Sequence, residues 1–169
     1  MGSNPSEFKG RGNLPVENVS WDDCQEFISK LNQLTGMTFS LPTEAQWEYA
    51  ARGGKHSRHT QYSGSKNIDD VAWYKSNSGS KTHPVGQKLA NELGLYDMSG
   101  NVWEWCSDWK GSYSSSSETD PTGPDSGDCR VRRGGCWYYW PSDCRSSSRY
   151  YFEPSRRGYN LGLRLALRR

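Results

Sequence analysis

The sequence has little aliphatic material and almost no surplus of charge. Apolar residues, aromatics included, make up 33% of the 169 residues and the mean hydropathy is −0.96, which would leave an ordinary aliphatic core thin. No stretch approaches the roughly eighteen apolar residues of a membrane span, so direct membrane insertion by this chain is not expected. Met1-Gly2-Ser3-Asn4 lacks the apolar run of a secretion signal, and an export signal or lipoprotein anchor is expected to lie outside the sequence. Lys and Arg total 21 against 19 Asp and Glu, and the arginines after Cys129 never form a run, which excludes the electrostatic footprint of a nucleic-acid partner. Cys24, Cys106, Cys129, Cys136 and Cys144 are odd in number and have neither CxxC nor zinc-ligand spacing, so they leave the redox compartment open. No Gly-x-Ser-x-Gly elbow, phosphate-binding loop or internal repeat is present. His56 and His59 lack a third placed ligand and read as solvated loop residues.

What is abundant is aromatic. Eight Trp and ten Tyr supply large buried areas per residue, so the core should be aromatic rather than aliphatic. The length suits one domain. Ser20-Trp21-Asp22-Asp23 has the form of a helix start, and Cys24, Phe27, Ile28, Leu31 and Leu34 follow at helical spacing until Gly36. Thr43-Glu44-Ala45-Gln46 is a capping box that opens a second helix, stopped by Gly53-Gly54. Met37 to Leu41 reads as a short strand between them. Residues 55 to 99 are turn-rich and predict long ordered loops, and 111 to 128 a surface loop. Arg132 to Trp137 and Asn160 to Arg168 read as strands, the second with Leu161, Leu163, Leu165 and Leu167 in alternation.

Four ordered segments carry a resemblance: PVENVSW from Pro15, LPTEAQWEYAARGG from Leu41, GLYDMSGNVWEWCSDW from Gly94, and RVRRGGCW from Arg130 followed by NLGLR from Asn160. They resemble the family of formylglycine-generating enzymes, the sulfatase-modifying factors. The resemblance implies an α+β, C-type-lectin-like fold with two helices, small antiparallel sheets and much irregular loop. It divides the chain into an N-terminal segment, 1–14, and the domain proper, 15–169. It also implies that strands preceding the Asn4 to Phe8 segment in the family lie outside this sequence.

In the enzymes of that family two cysteines after the Gly-Gly turn bind copper and activate oxygen. Counting from Gly135, the later position here is Cys144 but the earlier is Tyr139. A phenol cannot replace one of two soft thiolates at copper(I). Cys136 lies three residues before Tyr139, an odd offset that on a strand would face it the other way. No copper and no catalytic residue are therefore expected. The iron-binding helical domain of the related sulfoxide synthases has no room here. The alternative is a copper oxidase acting on sulfatase cysteine, or a degenerate structural homologue of one.

The stretch from Tyr138 to Tyr159, YYWPSDCRSSSRYYFEPSRRGY, holds five Tyr, five Ser and four Arg, the composition of antibody binding loops. Adjacent pairs such as Tyr138-Tyr139 and Tyr150-Tyr151 cannot both point inward from an extended segment. The segment resembles the variable region, here 134–163, of proteins diversified by retroelements, including those of the treponemal type. An AAC codon randomised at both adenines encodes Tyr, Ser, Asp, Arg, Gly, Phe or Cys without a stop, and Trp140 and Glu153 depart from that set. The resemblance implies a fixed frame of Gly134-Gly135, Trp137, Cys144-Arg145, Arg149, Pro154, Arg157 and Asn160-Leu161-Gly162. The implied contact face is Tyr138, Tyr139, Trp140, Ser142, Asp143, Ser148, Tyr150, Tyr151, Phe152, Ser155, Arg156, Gly158 and Tyr159, and replacing Tyr150 and Tyr151 is expected to abolish binding with little change in melting. The expected partner is a macromolecule, a protein on another cell or host, with the chain at the cell surface or outside the cell. Oligomeric state is left open.

Gly94 to Glu104 further resembles a calcium loop of the family. Asp97, Gly100, Val102 and Glu104 occupy the ligand positions, and hard oxygen donors suit one structural Ca²⁺, or Mg²⁺ with waters.

Overall fold

Both helix starts form as their capping boxes require. In the computed structural model, which describes residues 3–10 and 12–168, the Ser20 and Asp23 side chains exchange hydrogen bonds with each other's backbone to open α1, Trp21–Thr35. Gly36 closes that helix in the left-handed region at φ 68°. Thr43 and Gln46 do the same for α2, Glu44–Ala51, which ends before Gly53 and Gly54, both left-handed. The strand β1, Thr38–Ser40, lies between them, and the loops of 55–99 contain one short helix, α3, Ile68–Val71.

The central sheet has the order β4-β3-β2-β5, with β2 Trp103–Trp109, β3 Arg130–Arg133, β4 Arg149–Phe152 and β5 Leu161–Leu163. Three strands are antiparallel, while β5 runs parallel to β2. A separate ribbon pairs β1 with β6, Ala166–Arg168. The core has a tryptophan centre, with Trp47, Trp103 and Trp105 among the largest fully buried side chains. Trp103, Trp105 and Leu161 face Val19, Cys24 and Ile28 around α1, whereas Cys106 and Val131 face Trp47 and Ala51 of α2. The two helices thus cover opposite faces of the sheet.

Three strand expectations change. β2 carries no strand signal in the sequence: WEWCSDW is buried along most of its length on both faces and so shows no alternation. The strand expected at 132–137 begins at Arg130 and stops at Arg133, because Gly134 and Gly135 turn left-handed at φ 98° and 74°. The single closing strand is two, β5 and β6, in different sheets. The break falls where Arg164 turns to Glu104 and to the Tyr96 carbonyl, and Leu167, expected to alternate inward, is exposed. The N-terminal segment packs on the domain: the Phe8 amide donates to buried Glu17, and the Phe8 ring meets Trp137 edge-on.

Candidate functional site

Beyond the Gly134-Gly135 turn the chain leaves the sheet and rejoins it at β4 and then at β5. Gly135 is fixed by close approach, since a Cβ there would lie 2.6 Å from Cys144 Sγ and 2.9 Å from the Asp143 carbonyl. Trp137 is buried and anchors the aromatic stretch after it, its amide bonded to the Asn101 carbonyl and its indole N–H to the Tyr159 carbonyl. Tyr138 and Tyr159 flank its ring, Tyr138 meets Tyr139, and Tyr139 meets Tyr150, centroids 5.4 to 6.3 Å apart. Tyr138, Trp140, Tyr150, Tyr151 and Tyr159 are 53, 57, 39, 49 and 51% exposed. Lys75 lies 4.0 Å over Trp140 and 5.8 Å from the Tyr138 ring centre. Ser142, Ser155 and Arg156 are exposed as well, and Arg156 reaches the Phe152 ring.

Other members of the expected face serve differently. Asp143 is buried: its carboxylate accepts from the Trp140 amide and from the Tyr150 hydroxyl at 2.7 Å, so it props the face from below instead of meeting solvent. That hydrogen bond, followed by burial, raises the Tyr150 pKa. Gly158 is half-buried, with its carbonyl taken by the amides of Asn18 and Leu161. Ser148, half-buried, bonds the Ser142 carbonyl through its hydroxyl and receives Arg133 on its own carbonyl. Register separates the tyrosine pair on β4. Tyr150 stands opposite Arg132, and Tyr151 stands opposite Val131 on the reverse face of the sheet, with Lys110 5.0 Å from its ring. Tyr151 therefore does not join Tyr138, Tyr139, Tyr150, Phe152 and Tyr159.

Beneath Tyr139, Tyr150 and Phe152 lies a residue that sequence reasoning placed only in a strand. Arg132 is 3% exposed, and its guanidinium carbon lies 3.9 Å from the Phe152 ring centre, 4.6 Å from Trp103 and 5.8 Å from Tyr150. Burial lowers its pKa. Its neighbours Arg130 and Arg133 have other partners, although the Nε of each also lacks an acceptor among the described residues: Arg130 stacks between Trp21 and Trp109, and Arg133 pairs with Glu44 and Glu48.

The loop from Asp97 to Glu104 abuts this turn, the Gly100 amide donating to the Gly134 carbonyl at 2.7 Å. Asp97 and Glu104 both line a cavity of about 400 Å³ that also receives Val102 and Arg164. One Asp97 oxygen accepts from the Gly86 amide, while the other is buried with no partner among the described residues, and burial raises the carboxyl pKa. Both Glu104 oxygens are occupied, by Arg164 and by the Trp47 indole. Among the described residues no three His, Cys, Asp or Glu side chains gather at one point, so a cation here would need the Gly100 and Val102 carbonyls.

The full chain, residues 1–169, matches the model of the sulfatase-modifying factor enzyme 1-like domain. The chain belongs to the sulfatase-modifying factor family. Relatives of this family member include the chaperone protein LppX of Paenibacillus barcinonensis, 35% identical over 98% of this chain and 73% of that protein. The formylglycine-generating enzyme of Streptomyces coelicolor is 37% identical over 95% of this chain and 55% of its own length; the chain thus spans about half of that enzyme. Among solved structures, Treponema denticola variable protein 1 superposes with a TM-score of 0.94 at 35% identity, over all of this chain and 79% of that one. The fold is accordingly the α+β, C-type-lectin-like fold of the family.

In a sulfatase-modifying-factor domain the placement of the thiols bears directly on chemistry. Tyr139 is half-buried and meets Trp103 edge-on at 5.6 Å, and strand alternation does not govern Cys136, because β3 has ended. Cys136 and Cys144 are both fully buried, in separate apolar clusters. They lie close enough that charge on Cys136 raises the Cys144 thiol, although burial is the larger cause, and the Cys136 backbone N–H reaches Cys144. Burial also pushes Cys136 up to about 12. Apolar surroundings of this kind disfavour the thiolate.

Proposed function

We propose that this chain is a non-catalytic binding scaffold whose Tyr138–Tyr159 segment recognises a macromolecular partner, a protein on another cell or host. The reading extends to place and origin: the protein sits at the cell surface or outside the cell, and region 134–163 is diversified by a retroelement to vary specificity. The observation that carries it is the exposure of Tyr138, Trp140, Tyr150 and Tyr159 on loops pinned by buried Trp137 and Asp143. Rigid aromatic side chains give contact area at small entropic cost, and a frame that holds Tyr138, Trp140 and Tyr159 independently of their own burial tolerates their replacement. Replacing Tyr138, Trp140, Ser155 and Tyr159 together by Gly or Ser tests this: the scaffold reading expects cooperative melting within a few degrees of the parent, and collapse of the fold would assign these residues to the core. A reverse-transcriptase gene beside a near-copy of the coding region for Gly134 to Leu163 is the genomic counterpart.

An ion at Asp97 belongs to the same proposal. The unpartnered Asp97 oxygen supports Ca²⁺ held with Gly100, Val102 and Glu104, where it would stiffen the loop bonded to Gly134. Added calcium should raise the melting temperature and chelator should reverse it; indifference to both removes the ion from the account.

The nearness of Cys136 to Cys144 favours one second reading, a copper oxidase that uses this displaced pair. Copper(I) titration of the reduced protein, followed by oxygen uptake with a cysteine-containing sulfatase peptide, separates the two. Stoichiometric binding with peptide oxidation replaces the scaffold reading, and absence of both supports it.

A further inference from the structure

We propose that the recognition face takes a carboxylate group from an acidic polypeptide, and that buried Arg132 is the residue that receives it. The inference rests on the reading of Tyr138–Tyr159 as a binding face and adds the chemistry of what binds. Arg132 Nε and one of its terminal nitrogens find no acceptor among the described residues, and neither does the indole N–H of Trp103, whose ring lies under the same guanidinium. Two stacked buried groups thus carry three donor nitrogens lacking acceptors. Apart from burial, the groups that act on the Arg132 charge are Tyr139, whose hydroxyl hydrogen-bonds the guanidinium, then Cys136 and Tyr150, phenols and a thiol, with no carboxylate among them. A buried charge left unpaired destabilises a fold, and aromatic rings satisfy the faces of a guanidinium but not its N–H edge. The planar fork of that edge matches a carboxylate.

Access and charge agree with this. The cover over Arg132 is Tyr150, well exposed and hydrogen-bonded through its hydroxyl to Asp143, together with half-buried Tyr139 and Phe152. The Tyr150 ring must swing aside for a carboxylate to reach the guanidinium. Around the opening stand Lys75 over Trp140 and Arg156 over Phe152. Of the two acids in the segment, Asp143 is buried and engaged, which leaves Glu153 alone at the surface. Two cations near a third without a counter-ion draw an acidic group inward.

The test pans a random peptide library on the full chain, then measures the winning peptide against Arg132→Met and Tyr138→Ser. The expected result is enrichment of Asp or Glu, a loss of about tenfold or more in affinity with Arg132→Met, the same loss when the peptide acid is changed to its amide, and melting of Arg132→Met at or above the parent. Winners without Asp or Glu, or binding unchanged in Arg132→Met, overturn the carboxylate; if Tyr138→Ser still weakens those winners, the face itself stands. No enrichment, or winners indifferent to both variants, overturns the face and the carboxylate together. Should Arg132→Met fail to fold, the nitrogen resonance of Arg132 Nε in the parent decides: a shift on adding the peptide is expected, and an unmoved resonance overturns the assignment.

Discussion

Tyr150 and Tyr151 are neighbours in sequence with similar exposure, yet truncation of the two should differ by about 1 kcal/mol. Deleting a fully buried large aromatic costs about 3–5 kcal/mol. Tyr150 is 39% exposed, so about three-fifths of that, near 2 kcal/mol, applies to its packing on Trp103 at 5.0 Å and on Tyr139 at 6.3 Å. Its hydroxyl also donates to the Asp143 carboxylate, and losing a hydrogen bond to a charged acceptor adds about 1 kcal/mol once water replaces the phenol. Tyr150→Ala should therefore cost about 3 kcal/mol, a fall of roughly 6–12 °C for a domain of this size. Tyr151, 49% exposed on the reverse face with Lys110 as its cation, keeps about half of the full cost, near 2 kcal/mol and roughly 4–8 °C. Calorimetry on the two single variants measures both, and Tyr150→Phe isolates the hydroxyl. The expectation that the double replacement leaves melting nearly unchanged is thereby revised. Equal losses at the two positions would refute the register that puts them on opposite faces.

Three further outcomes rest on particular contacts. Gly135→Ala imposes a left-handed φ of 74° on alanine and drives its Cβ into the Asp143–Cys144 backbone, so urea unfolding should show a loss of about 3 kcal/mol or more. Arg157 holds the Asp23 pKa down to about 2 from 3.8; a carboxyl depressed on folding contributes stability that is complete above the unfolded value and is lost as pH falls through the folded one. Melting of the parent should drop between about pH 4 and pH 2 by more than that of Arg157→Ala, a small difference because solvent screens the exposed arginine. Of the five cysteines, Cys129 alone is partly exposed, and burial pushes Cys24 and Cys136 up to about 12; a thiol reagent at neutral pH should modify one equivalent quickly in the native protein and five in denaturant.

The helices were legible because their signals are local: Ser20 with Asp23 and Thr43 with Gln46 specify their caps within four residues, and Gly36 ends the first helix by its own backbone freedom. β2 was hidden for a physical reason. Helices on both sides of the sheet bury Trp103, Glu104, Trp105 and Cys106 alike, which erases the period that marks a half-exposed strand. Alternation misled at Asn160 to Arg168, where leucines keep a period of two through a break set by a distant partner, Glu104. The aromatic segment was legible from composition, but its sorting was not, since the burial of Asp143 and the reversal of Tyr151 depend on pairing with β3. Arg132 carried no local signal at all: three arginines within four residues look alike in sequence, and only tertiary packing gives Arg130 an aromatic sandwich, Arg133 two glutamates and Arg132 no acid.

The order of pairing gives the fold a checkpoint. β5 completes the central sheet beside β2, and β6 completes the ribbon with β1, and both come after residues 138–159 in the chain. During vectorial synthesis the two sheets stay open until that segment has been made. A version of the segment that cannot lie over Trp137 and Arg132 delays β5 and β6 from reaching their partners, leaving Trp103 and Phe39 uncovered for chaperones and proteases to find. Substitutions in that segment are thereby checked for foldability as the two sheets close.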